Sequence, residues 1–338
     1  MACSGRDPAA GWRALLALRG PDLGAPVEIA RAPFGDAVLV GHLANPKLEE
    51  TSGLAASRRR NDLLWAINDG ARIPRLIAVG VDGKDLGMVR IEGAEAVDWE
   101  ALASFEWQGR PHLVVADTGD NFSWRRSVEL IVVEEPELAG DHFPPDSRID
   151  VAWRVPFRFE DGPRDCEAVA VAIDADGPRA LLLSKRTQPP VLYELPLLPK
   201  EHSATSENGP VPLRMATRLG EVPGIPPPTR ADVDALDWLG RYAAMPTGLD
   251  LSADGGLAAI LTYRDAYAFA RAPGESWAAA LARTPQRIAL PPMAQAEAIA
   301  FTRTGRTLFA TSEKRPSPLY RLEWRSTSVR SGRSRSLR

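Results

Sequence analysis

Two short strings carry paired carboxylates, Asp98-Trp99-Glu100 and Asp165-Cys166-Glu167. Each runs straight into small and apolar residues, Ala101-Leu102-Ala103 and Ala168-Val169-Ala170. Glu297 stands likewise before Ala298-Ile299-Ala300, and Thr51-Ser52-Gly53-Leu54-Ala55 and Thr247-Gly248-Leu249-Asp250-Leu251 share the pattern with less charge. Residues i and i+2 of a strand face the same way, so each Asp-x-Glu pair at a strand start can present both carboxylates to one side. Carboxylates so gathered repel, and protonation, a cationic neighbour or a bound metal relieves the conflict. Oxygen donors without His or Cys select a hard ion such as calcium.

A second polar set ends the strand that follows each of these. It comprises Asn68-Asp69, Asp117-Thr118-Gly119-Asp120-Asn121, Ser184-Lys185-Arg186, Thr262-Tyr263-Arg264 and Ser312-Glu313-Lys314. In an antiparallel pair the end of the second strand lies beside the start of the first, so both sets belong on one rim. Aligned by eye, Gly53, Glu100, Glu167, Gly248 and Glu297 take one equivalent position. The candidate metal ligands are Asp69, Asp98, Glu100, Asp117, Asp120, Asn121, Asp165, Glu167, Glu297 and Glu313, while Lys185 and Arg264 are the candidate catalytic cations, placed to steady developing negative charge. Taken singly, acids at strand starts cap loops by accepting backbone N–H bonds; their gathering is what points to a site.

The elements that must position them are short strands in repeated units. Residues 53–57, 63–69, 75–79 and 88–91 give four strands in one unit, the spacing of a propeller blade. Further units begin at Asp98, Asp165, Gly248 and Glu297. The second takes residues 149–155 as its fourth strand, and the third takes 214–219. Five units are legible, and a sixth is expected from the strand over residues 37–40 and the poorly patterned stretch between the third and fourth units, where 230–242 suggests a helical insert. The expected fold is all-β: a single β-propeller of six blades of four-stranded antiparallel sheets, with five or seven as alternatives. It spans residues 37–325, between an N-terminal segment 1–36 and a disordered Ser/Arg-rich tail 326–338. Trp65, Trp99, Trp107 and Trp153 are expected in blade packing, Cys166 in the blade interior and Arg58-Arg59-Arg60 in a solvated turn.

The 338 residues are 44% hydrophobic, enough for a large core, and 30 Pro with 27 Gly suit many turns. A net charge of −3 gives no basic field for nucleic acid. Two cysteines, Cys3 and Cys166, and four scattered histidines supply neither a disulfide framework nor a zinc pattern. No apolar run reaches the roughly 20 residues of a membrane helix. Met1-Ala2-Cys3-Ser4-Gly5 resembles the end of a lipoprotein signal, which implies a periplasmic or lipid-anchored protein; with the N-terminus as written the expectation is cytoplasmic.

Asp98-Trp99-Glu100-Ala101-Leu102-Ala103, Asp117-Thr118-Gly119-Asp120-Asn121 with Arg125 or Arg126, and Glu134-Glu135-Pro136 resemble a group of uncharacterised bacterial β-propellers marked by DWEDIA, GDxGDN and a closing EP. The resemblance spans about residues 48–324 and includes Glu50 to Leu54, Arg164 to Ala168, and Glu297-Ala298-Ile299 with Thr311-Ser312-Glu313. Ala101 departs from it by replacing the second Asp of DWEDIA, and Cys166 stands where a small residue is common. More distantly the chain resembles phytase-like and esterase-like propellers, which by analogy implies calcium and phosphoester chemistry. The expected function is a binding propeller whose acidic channel mouth holds a hard metal ion, a small ligand or a protein partner. The alternative is a calcium-dependent hydrolase of phosphate or carboxylic esters. A quinone oxidoreductase lacks a placed His base. The chain is expected to be a monomer without nucleic-acid partners.

Overall fold

Short Val-, Ile-, Leu- and Ala-rich runs, broken by Gly, Asp and Pro turns, are too brief for helices and suit half-buried strands. In the computed structural model, which describes residues 23–70, 73–199 and 211–325, they form β1 (Val38–His42), β2 (Thr51–Ala56), β3 (Leu63–Asn68), β4 (Arg75–Gly80), β5 (Asp85–Glu92), β6 (Trp99–Trp107), β7 (Arg110–Asp117), β8 (Val128–Glu134), β9 (Arg148–Asp150) and β10 (Trp153–Phe159). The second half adds β11 (Cys166–Asp174), β12 (Gly177–Ser184), β13 (Val191–Pro196), β14 (Arg214–Glu221), β15 (Pro246–Leu251), β16 (Leu257–Thr262), β17 (Ala266–Ala270), β18 (Gln286–Ile288), β19 (Ala296–Phe301), β20 (Thr307–Ser312) and β21 (Pro318–Glu323). Helix α1 (Arg230–Leu236) runs into a 3₁₀ turn (Asp237–Tyr242), and α2 (Trp277–Leu281) is N-capped by Ser276. Among the described residues no helix is long and apolar enough to cross a membrane. The lipoprotein-like start, the rest of residues 1–22, residues 71–72 and 200–210, and the expected tail 326–338 lie outside the described residues.

The strands build a β-propeller. Its blades are β2-β3-β4-β5, β6-β7-β8-β10, β11-β12-β13-β14, β15-β16-β17-β18 and β19-β20-β21-β1. The inner strands β2, β6, β11, β15 and β19 pack side by side, and β19 returns to β2. The described residues therefore close a ring of five blades, not the expected six. The chain between the third and fourth blades becomes α1 and the 3₁₀ turn, while β1 pairs with β21 as the outer strand of the last blade. Residues 149–155 also divide. β9 pairs in parallel with β5 of the first blade, and the fourth strand of the second blade is β10. The parallel pairing of β10 with β14 ties the second and third blades at their outer edge.

Each seam between blades has its own core. Trp65, Ile67 and Trp99 meet Leu113 and Val133 between the first and second blades. Phe105, Phe157 and Cys166 meet Tyr193 between the second and third. Trp65, Trp99, Trp107 and Trp153 all pack in these seams. The Arg58 turn is pinned rather than free: Arg58 donates to Ser104 Oγ (3.0 Å) and to the Ser104 carbonyl (2.8 Å), bridging the first two blades. Buried Glu135, from the Glu134-Glu135-Pro136 string, accepts from the Arg58 amide (2.8 Å) and Trp65 Nε1 (3.0 Å).

The channel narrows along the inner strands. Leu54, Leu102, Val169, Leu249 and Ile299 hold equivalent pairing positions on the five inner strands and are all buried. The packing is tight at Gly53, where a Cβ would stand 2.7 Å from Leu102 N and 2.8 Å from Ile67 Cγ1. Gly53→Ala is therefore expected to cost about 1–3 kcal/mol by overpacking, read as a lower urea midpoint at unchanged m. An unshifted midpoint would mean that the first two blades part without cost.

Candidate functional site

The same irregularity recurs at the top of every inner strand. Pairing with the second strand slips by one residue between Thr51 and Gly53, Trp99 and Ala101, Cys166 and Ala168, Pro246 and Gly248, and Ala296 and Ala298. Such bulges re-aim side chains and are common beside sites. The bulged residues are Ser52, Glu100, Glu167, Thr247 and Glu297, which corrects the alignment by eye: Ser52 and Thr247, not Gly53 and Gly248, are equivalent to the three glutamates. Ser52 and Thr247 donate across the seam to the carbonyls of Trp99 (2.8 Å) and Ala296 (2.7 Å). A carboxylate cannot make that bond, so the three glutamates are left for the mouth of the ring.

The residues just beyond the second strands form the next tier: Asp69, Thr118, Lys185, Tyr263 and Glu313. Backbone amides hold it down, with Asp69 N donating to Glu50 O (2.8 Å), Lys185 N to Asp165 O (3.0 Å) and Glu313 N to Gln295 O (2.9 Å). Together the tiers line a pit of about 200 Å³ that continues into a narrower space between the inner strands. Of the predicted site residues, Asp69, Glu100, Asn121, Glu167, Lys185, Glu297 and Glu313 line it.

The pit is rich in buried charge. Glu100, Glu167, Glu297 and Lys185 are exposed by 5%, 4%, 7% and 7%. Lys185 forms an ion pair with Glu167 through Oε1 and lies 5.2 Å from the centre of the Tyr263 ring. Burial opposes the Lys185 charge, but Glu167, Tyr263 and Glu297 outweigh it and hold the pKa well above the ordinary value. Burial raises Glu100 and Glu167 strongly, with Glu167 adding to the rise of Glu100 and Lys185 opposing that of Glu167. Burial, then Asp98 and Glu313, push Asp69 up to about 6, with Asp69 donating a hydrogen bond to Asp98. Burial carries Glu297 up to about 7 against the pull of Lys185 and the Tyr263 hydroxyl that donates to it. Asp98 is raised by burial and by Asp165.

Asp69, Asp98 and Glu100 bring one carboxylate oxygen each within 4.8 Å of one another. Gly119 packs on this corner: a Cβ there would fall 2.4 Å from Asp98 Cγ and 2.6 Å from Glu100 Oε1. Glu100, Asp165 and Glu167 meet the same distance criterion, but Asp165 is already engaged by the Asp120 amide (3.0 Å) and Arg186 Nε (2.7 Å).

The remaining predicted residues build the surroundings. Asp117 accepts from Arg125 (2.6 Å) and the Val97 amide (3.1 Å). Asp120 accepts from the amides of Trp124 (2.8 Å) and Arg125 (2.9 Å), shaping its own loop. Arg264 is displaced from its expected place beside Lys185. Being one residue past Tyr263, it is drawn to the insert, where it pairs with Asp232 (2.6 Å) and donates to the Pro226 carbonyl (3.1 Å) and the Tyr267 hydroxyl (3.0 Å). Cys166 is fully buried, and burial raises its thiol far from the reactive range. Sequence reasoning missed the wall of Leu239, Tyr242 and Met245, which the insert supplies together with Tyr263. No repeat announced it. The signal for Tyr263 was its register with Lys185.

Over the described residues the fold and pit define a five-bladed β-propeller with an acidic mouth. No protein-family model matches the sequence, and no curated protein matches it. Among solved structures it is similar to a gluconolactonase from Xanthomonas campestris (14% identity, TM-score 0.42, covering 91% of this chain and 98% of that one). It is also similar to the periplasmic gluconolactonase of Pseudomonas aeruginosa (13%, TM-score 0.34, 77% and 64%). A third is the Cps50 (Swd1) β-propeller domain of Myceliophteria thermophila (11%, TM-score 0.35, 80% and 82%). At that distance only the site itself bears on function.

Proposed function

We propose that this propeller binds a single hard divalent cation, calcium by donor type, in the corner made by Asp69, Asp98 and Glu100. The observation that carries the reading is the 4.8 Å limit on the separation of their oxygens. Ligands on one calcium ion lie about 2.3–2.6 Å from it, so opposite donors stand about 5 Å apart and all three fit one coordination sphere. Burial raises the pKa of all three, and neighbouring carboxylates add to it, Asp98 at Asp69, Asp165 at Asp98 and Glu167 at Glu100; a cation relieves that repulsion. Neither His nor Cys offers a softer donor there.

A second reading, a calcium-dependent ester hydrolase, has one observation in its favour: Lys185 and Tyr263 stand side by side in the same pit. When bound, the ion would polarise a substrate oxygen. Lys185 and the Tyr263 hydroxyl would then donate to negative charge developing near them, and the insert wall would exclude water. Arg264 has no part in either reading, because Asp232 holds it at the insert.

Calorimetric titration of calcium at neutral pH is the test. The wild-type protein should bind one equivalent, and Asp69→Asn should weaken binding by about tenfold or more through loss of a charged ligand. Gly119→Ala should do the same with no change of charge, since its methyl group would invade the corner. No binding heat in the wild type, or full affinity in both folded variants, removes the metal reading. Turnover of a generic carboxylic or phosphate ester that requires calcium would select the hydrolase, whereas binding without turnover leaves a binding protein.

A further inference from the structure

A second cleft, of about 400 Å³, opens where the second and third blades meet and shares no lining residue with the pit. Strand pairing builds it. Val128 of β8 pairs with Phe157 of β10, and Arg158 of β10 pairs with Met215 of β14, so the ends of three strands come together there. Four arginines line the cleft, Arg125, Arg126, Arg158 and Arg164, in a chain whose net charge is −3. The one acid on the lining is Glu160.

Two of these arginines are occupied by the protein itself. Arg125 donates to Asp117 (2.6 Å) and to the Gly119 carbonyl (2.9 Å). Arg164 donates to Asp161 (2.6 Å) and lies 4.9 Å from the centre of the Tyr193 ring. The other two are not. Arg126 and Arg158 are exposed, and among the described residues their guanidinium groups make neither an ion pair nor a hydrogen bond. Glu160 is exposed too and pairs with neither of them. Ser127, on the same lining, keeps its hydroxyl without a partner. Two guanidinium forks and a hydroxyl are therefore gathered on one concave surface, and such forks match phosphate oxygens two at a time. Apolar surface lies beside them in Phe159, Pro163 and the half-exposed Met215.

We propose that this cleft binds a small phosphate monoester with an apolar body. Arg126, Arg158 and Ser127 donate to the phosphate, and Met215 and Pro163 meet the body. A phosphate monoester carries about −1.5 to −2 charge at neutral pH, which two guanidinium groups answer better than they answer a single carboxylate. The loop that delivers Arg126 is already shaped, since Asp120 accepts from the amides of Trp124 (2.8 Å) and Arg125 (2.9 Å), so little ordering is left to be done on binding. A concave lining suits a small molecule rather than a flat lipid surface. The chain's net negative charge gives no extended field for a nucleic-acid backbone. The site is separate from the metal corner and does not depend on the calcium reading.

The experiment titrates the whole protein by calorimetry with phenyl phosphate, inorganic phosphate, benzoate and phenol, in chelator so that calcium plays no part. Phenyl phosphate should bind measurably, inorganic phosphate and benzoate more weakly and phenol not at all. Arg126→Gln and Arg158→Gln, both at exposed positions where folding is little affected, should each lower phenyl phosphate affinity by about tenfold. Glu160→Gln should raise it, because a repelling charge is gone. Equal binding of phenol and phenyl phosphate overturns the proposal, as do folded Arg126→Gln and Arg158→Gln that both keep wild-type affinity. Inorganic phosphate or benzoate binding as tightly as phenyl phosphate overturns the ligand class named here. Association with vesicles of phosphatidylcholine and phosphatidylserine, without phenyl phosphate binding, would assign the arginines to a membrane surface and overturn it as well. Because the titration runs without calcium, failure of the metal reading leaves its result standing.

Discussion

Lys185→Met is expected to cost about 3–5 kcal/mol of unfolding free energy in calcium-free buffer, the loss typical of removing one partner from a buried ion pair. The lysine is 7% exposed and its partner Glu167 4% exposed, so water cannot replace the missing charge. Glu167 would be left with Glu297 and Asp165 as neighbours, both of which disfavour its ionised form. The double variant Lys185→Met with Glu167→Gln should recover most of the loss, because the stranded charge goes with its partner. Urea denaturation of the four proteins in the cycle measures this. A single-variant loss below about 1 kcal/mol would mean that Glu167 is already neutral beside Lys185, and that the pair contributes shape more than charge.

The second large effect couples pH to calcium. Glu297, ordinarily near 4.5, stands at about 7, and Asp69, ordinarily near 3.8, at about 6. Both folded-state values are raised, so the native protein holds protons that the unfolded chain gives up. Their contribution is complete below the unfolded values and is lost as pH rises through about 6 to 7. For buried Glu297 the loss is on the order of 3 kcal/mol. Without calcium, the melting temperature should therefore fall between about pH 5 and pH 8. Calcium acts in the opposite sense because it needs Asp69 ionised. Its stabilisation should be small at the acid end and reach about 2.7 kcal/mol at the alkaline end with calcium at a hundred times its dissociation constant. Melting curves across this range, with calcium and with chelator, give the answer. A chelated protein that grows more stable with rising pH would contradict the raised values.

Much of the ring was legible because its signals are local. Apolar runs such as Leu63 to Ile67 and Leu181 to Leu183, with acids just ahead of the inner strands, mark the blades whatever the rest of the chain does. The count was harder. Whether β1 (Val38–His42) begins a blade or completes one depends on its partner β21, almost the whole chain away, and no local pattern encodes that pairing. The bulges were hidden for a related reason. Gly53 and Gly248 look like the natural equivalents of Glu100 until the register shows that each strand slips at the residue before. Seven of the twelve predicted site residues line the pit, since strand starts and ends converge on one rim in any propeller. Asp117, Asp120 and Arg264 were indistinguishable in type from their neighbours, and only their hydrogen-bond partners reveal that they secure loops and the insert.

Leu54, Leu102, Val169, Leu249 and Ile299 rim a narrow space beneath the pit, so the cavity tapers away from its mouth. The wider approach runs past Arg186, Asn121 and the Tyr242 wall. A change at that threshold would then slow or speed entry and exit by the same factor and leave the resting occupancy unaltered.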